Sequence, residues 1–145
     1  MKLKTTELQR SALDWAVAKC EFNEPHYEPD DWLVYVTERD SDDDGWIFKP
    51  STDWSQGGPI IEREGVGIEL WGEKNWFATR VKDLGPAVKD ITIYETFGPT
   101  PLIAAMRCYV ASKLGDEVDV PDELMEYEDP TDYVRMGWVD SRGRP

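Results

Sequence analysis

The apolar positions of this chain repeat at helical spacing in two places and alternate in several others. From Thr6 to Cys20, the residues Leu8, Ala12, Trp15, Ala16 and Cys20 fall on one helical face. Thr6 and Gln9 have the spacing of a capping box at its start. The second helical pattern, Pro101 to Leu114, is apolar almost all round: Leu102, Ile103, Ala105, Met106, Tyr109, Val110 and Leu114 leave little polar face. Thr100 is placed to cap it, Pro101 stands at its first position and Gly115 follows its end. Such a helix belongs in the centre of a fold, packed on a sheet.

Between these helices the pattern turns to strands. Trp32 to Thr37 and Trp46 to Phe48 are rich in β-branched and aromatic residues, and Pro50 ends the second run. Gly67 to Trp71 and Trp76 to Arg80 read as a hairpin joined through Gly72 to Asn75. Ile91 to Phe97 reads as a further strand with Ile91, Ile93 and Phe97 inward, and Val118 to Val120 as a last short one before a helical turn at Pro121 to Leu124. The segment from Glu21 to Asp31 contains Pro25 and Pro29 and reads as a loop carrying the one histidine, His26. A short helix is expected near Pro59–Glu64, entered through Gly57 and Gly58 and ended by Gly65. Together these elements predict an α+β fold: a small, mainly antiparallel twisted sheet packed by the helices Thr6–Cys20 and Pro101–Leu114. Residues 1–125 form the expected single domain, and 126–145 an acidic C-terminal extension, loosely docked or flexible.

Charge sharpens this picture. The formal net charge is −14 over 145 residues. Glu21 to Asp44 is net −9 and Asp116 to Pro145 net −7, whereas the centre, Gly45 to Gly115, sums to zero. This balance argues against direct nucleic-acid binding and against adhesion to anionic membranes, both of which need clustered Lys and Arg. It allows a basic protein partner, or a small anion held in the neutral centre. Cys20 and Cys108 sit in helical patterns among apolar neighbours and read as buried free thiols. No metal spacing, disulfide framework, signal peptide or membrane-length apolar run appears, so the expectation is a cytoplasmic protein without a cofactor.

The candidate binding element is Ser51 to Glu64. Ser51, Thr52, Asp53, Trp54 and Gln56 precede Gly57-Gly58-Pro59. Free amides at a helix start attract anions, Trp54 offers a stacking face, and the hydroxyls and carboxamide add hydrogen bonds. Arg63 either reaches the ligand or pairs with a neighbouring glutamate. Thr100 either brings a second helix start to the same pocket or serves as a simple cap. Arg107, within a nearly all-apolar helix, needs a partner, either a carboxylate such as Asp53 or an anionic ligand. Asp40, Asp42 and Asp44 copy the first half of a calcium loop, but position twelve is Ser51 rather than Glu. No Ser-His-Asp or Cys-His set is present, and Asp53 is the one candidate acid or base should the protein be an enzyme.

Three stretches also carry a family likeness. Leu13-Asp14-Trp15-Ala16-Val17-Ala18, Ser51 to Glu62 and Gly98 to Arg107 resemble the NinX-like family of lambdoid temperate bacteriophages, over most of Lys2 to Leu124. The resemblance implies an accessory protein made in an infected bacterial cell and brings no catalytic residues. The expected activity is non-enzymatic binding of a small anionic ligand such as a nucleotide, with sequestration of a host defence signal as one use. The alternatives are an acidic inhibitor or nucleic-acid mimic acting on a host protein, and a small hydrolase resting on Asp53. The oligomeric state stays open.

Overall fold

The computed structural model describes residues 1–22, 25–27, 33–36, 45–83 and 91–125. Their elements in chain order are β1 (Lys2–Lys4), α1 (Arg10–Glu21), β2 (His26–Tyr27), β3 (Val34–Val36), β4 (Trp46–Ile47), α2 (Trp54–Glu64), β5 (Gly67–Gly72), β6 (Asn75–Asp83), β7 (Ile91–Gly98), α3 (Pro101–Leu114) and β8 (Glu117–Asp119). The α+β class is as expected, but the strands form three small antiparallel sheets rather than one. These are β1–β8, β2–β3–β4 and β5–β6–β7.

α3 is the hub. The Thr100 hydroxyl accepts the Ile103 N–H at 3.1 Å, Pro101 opens the helix, and Gly115 at φ 90 closes it. Leu102, Ala104, Ala105, Met106, Cys108, Tyr109 and Val110 are all buried. They meet β6 and β7 on one side and α1 and α2 on the others. Leu8, Leu13, Val17, Val34 and Val36 complete the same core.

Four local expectations are corrected. First, α1 starts at Arg10 and not at Thr6. Thr5–Glu7 is a 3-10 turn, and Gln9, the residue before the helix, makes no side-chain cap bond, so the Thr6–Gln9 capping box does not form. Thr5 explains this. Its N–H donates to Asp116 O at 2.8 Å and its hydroxyl to Gly115 O at 2.6 Å, which ties the segment to the end of α3 instead of to its own helix. Second, His26 lies in a strand, exposed, and stacks on Tyr35 with ring centroids 5.8 Å apart.

Third, α2 begins at Trp54 with Asp53 as its cap, so Gly57, Gly58 and Pro59 lie inside the helix rather than before it. Fourth, Ile91, Ile93 and Phe97 point outward, with 42, 58 and 42% of their surface exposed. The inward positions are Tyr94, Thr96 and Gly98. Gly98 sets this parity: a Cβ there would lie 2.6 Å from Ala104 N, so only glycine can face α3 at that point. Thr96 adds a hydrogen bond from its hydroxyl to Ala104 O at 2.8 Å.

Candidate functional site

The polar groups of Ser51–Gly58 turn to separate partners within the protein. Ser51 is 2% exposed, and its N–H donates to Asp14 Oδ1 on α1 at 2.9 Å. Thr52 is exposed and its N–H turns back to Lys49 O. Asp53 caps α2: one carboxylate oxygen accepts the Ser55 N–H at 2.9 Å and the Ser55 hydroxyl at 2.6 Å. The anion that a helix start attracts is therefore supplied by the protein itself. The Ser55 hydroxyl also holds the Asp53 carboxyl below its ordinary range, which suits a cap better than a general base at neutral pH.

Gln56 is a brace. Its carbonyl accepts the Lys49 N–H at 2.6 Å and its amide donates to Ile47 O at 2.9 Å. Gly57 donates its N–H to Asp53 O at 2.9 Å, and a Cβ there would meet Pro50 O at 2.5 Å and Leu102 Cδ2 at 2.7 Å. It serves close packing of α2 on α3, not ligand approach. Gly58 has no close neighbour on its open side, and Trp54 beside it is 53% exposed. Asp40, Asp42 and Asp44 lie outside the described residues.

Arg63 is committed to the protein. It pairs with Glu21 and Glu64 and donates to the Tyr109 hydroxyl at 3.3 Å. Glu64 in turn pairs with Arg80 of β6, and both side chains are nearly buried. This chain of charges fastens the C-terminal ends of α1 and α2 to α3 and the sheet. Burial pushes the Cys20 thiol up to about 12 and the Cys108 thiol up to about 11, so neither is a thiolate nucleophile at neutral pH.

Arg107 sits apart from all of this. Asp53 is not its partner. Its Nε donates to Leu8 O at 2.7 Å and its Nη1 to Phe97 O at 2.8 Å. Among the described residues no carboxylate stands within ion-pair distance of it. It lines an open cleft of about 370 Å³ with Thr6, Lys74, Asn75, Glu95 and Phe97. Thr100 lies next to this cleft in sequence, but its hydroxyl is used by the cap.

The outer face of β5–β6–β7 is the other exposed feature. Val81 pairs with Ile93 and Phe77 with Phe97 across the β6–β7 register. Val81 is 59% and Trp71 57% exposed. Trp71, Phe77 and Phe97 form one aromatic cluster, with centroids 4.5 to 5.3 Å apart. Glu69 and Glu95 are exposed beside them. Reading the strand inward missed this face. The one sequence signal for it is Glu95, a charge that shares parity with Ile91, Ile93 and Phe97.

A protein-family model described as Bacteriophage P22, NinX matches residues 4–113. The chain belongs to the phage P22 NinX family. The matched span runs from the end of β1 almost to the end of α3, so this NinX-family chain carries the Arg107 cleft and the apolar sheet face within the region that defines the family. No match was found among the curated proteins searched. Membership makes the chain a phage accessory protein. Among its described residues no helix is long and apolar enough to cross a membrane.

Proposed function

We propose that this phage accessory protein acts by binding a host protein through the outer face of β5–β6–β7. The observation that carries the reading is the exposure of Trp71, Val81, Ile91, Ile93 and Phe97 on one sheet face of a strongly acidic chain. Exposed apolar residues gathered on one face, here in two patches either side of the Thr79–Glu95 pair, mark interaction sites. Charge selects the partner. The face carries Glu69 and Glu95 and, at its described positions, no lysine or arginine. A second copy would set glutamate against glutamate and a net charge of −14 against −14. An apolar surface rimmed by Lys and Arg satisfies both features.

The test compares the full chain with Val81→Asp and Ile93→Asp as bait in host lysate. The expected result is one stoichiometric protein that is retained by the wild type and released by both variants. It should rebind when purified and weaken as salt rises. A dimer by light scattering that the same substitutions dissociate would overturn the reading in favour of self-association. So would retention of the same partner by both variants.

A further inference from the structure

From the geometry around Arg107 we infer a second binding site, for a small planar organic phosphate of mononucleotide size. It goes beyond the protein-binding face: it shares Phe97 and Glu95 with that face, but its charge comes from Arg107 and Lys74, which the face does not use.

Arg107 is half-buried in the apolar helix α3, yet two backbone carbonyls are its partners. Carbonyls orient a guanidinium but do not neutralise it. Of its five N–H donors, the bonds to Leu8 O and Phe97 O occupy two, so an anion in the cleft can be met by the rest. Burial also holds Arg107 below its ordinary value, and no carboxylate among the described residues offsets that effect. Lys74 lines the same cleft from the tip of the β5–β6 hairpin, at φ 55, and it too has no ion-pair partner among the described residues. Against these two cations, the described lining residues set one carboxylate, Glu95. In a chain of net charge −14, a cleft with excess positive charge is where an anion goes.

The remaining lining residues define the rest of the ligand. Phe97 is 42% exposed, and its ring is held by Trp71 and Phe77 at 5.3 and 5.0 Å, so it is a fixed platform for a flat ring. Glu95 accepts N–H donors such as those on the edge of a base. Asn75 and Thr6 add polar contacts at the rim. A cavity of about 370 Å³ falls at the lower end of the range for small-molecule sites, which suits one nucleotide. The phosphate is thereby assigned to Arg107 and Lys74, and the ring to Phe97 and Glu95.

Calorimetric titration of the full chain at low salt, with inorganic phosphate and with the purine and pyrimidine nucleoside monophosphates, tests this. At least one nucleotide should bind about tenfold or more tightly than inorganic phosphate. Lys74→Ala, on an exposed turn, should weaken it about tenfold. Phe97→Leu should bring it down to the level of inorganic phosphate. Arg107→Lys, checked by its melting curve, should also weaken it. Three results would each overturn the inference: no heat for any nucleotide at millimolar concentration, phosphate bound as tightly as every nucleotide, or affinity unmoved by Lys74→Ala. The titration contains no protein partner, so its failure and the failure of the sheet-face reading are separate outcomes.

Discussion

Asp14 of α1 and Ser51, 37 residues apart, are joined by a 2.9 Å hydrogen bond from the Ser51 N–H to the Asp14 carboxylate. Both are 2% exposed. The bond holds the Lys49–Asp53 turn on the core, and through it the start of α2.

Burial pushes the Asp14 carboxyl up to about 7, against the pull of Ser51 hydrogen bonding and of the Lys49 charge. The sign of its effect on stability follows. Unfolded, Asp14 loses its proton near its ordinary value of 3.8, and folded it keeps the proton to about 7. Between these values the folded state holds more protons, so stability falls as pH rises. The full window is worth on the order of 4 kcal/mol. Urea unfolding should therefore show a higher midpoint at pH 5 than at pH 8. Asp14→Asn, which copies the neutral form, should flatten that slope.

Gly57 and Gly58 are adjacent in sequence and opposite in constraint. Gly57→Ala places a methyl 2.5 Å from Pro50 O, a backbone atom that cannot step aside. We expect a loss of about 1–3 kcal/mol. At Gly58 the nearest atom to a new Cβ is Trp54 Cε3 at 4.0 Å, so Gly58→Ala should stabilise by roughly 0.5–1 kcal/mol, as alanine does in a helix interior. Thermal melts of the two variants should move in opposite directions.

Glu64 and Arg80 pair across the α2–β6 junction with little solvent on either side. Arg80→Met leaves Glu64 with the half-exposed Arg63 as its remaining ion-pair partner. A loss of about 3–5 kcal/mol is expected from breaking a buried pair at one end. Replacing both, as Glu64→Leu with Arg80→Met, should recover much of it. A double-mutant cycle by denaturant titration measures the coupling.

Asp53 supports α2 as its cap, so Asp53→Ala should cost about 1 kcal/mol in denaturant unfolding. Asp53→Asn, which keeps a capping oxygen, should cost less. Neither change should alter nucleotide affinity, because the cleft is lined by other residues.

α3 was legible residue by residue. Thr100, Pro101 and Gly115 act within one turn of themselves, and their chemistry needs no distant neighbour. The β5–β6 hairpin was legible for the same reason. The start of α1 was not, because Thr5 bonds to Gly115 and Asp116 more than 100 residues away. Of the ligand residues expected from Ser51–Gly58, each has a local polar side chain or a glycine, and the sequence does not say what that group will touch. Ser51 met Asp14, Gln56 met Ile47 and Lys49, and Gly57 met Pro50 and Leu102.

Sequence by itself determined the fold class, the family, the acidic character and the helix at the centre, since periodicity, capping and composition are properties of short stretches. Tertiary structure alone decided which side of β7 faces solvent and whether Arg107 meets a carboxylate. A strand's two faces are equivalent until something packs on one of them, and here the choice fell to the close approach of Gly98 to Ala104. A buried charge, likewise, takes whatever partner the packing brings. For Arg107 those are the carbonyls of Leu8 and Phe97, and among the described residues no carboxylate pairs with it beside its open cleft.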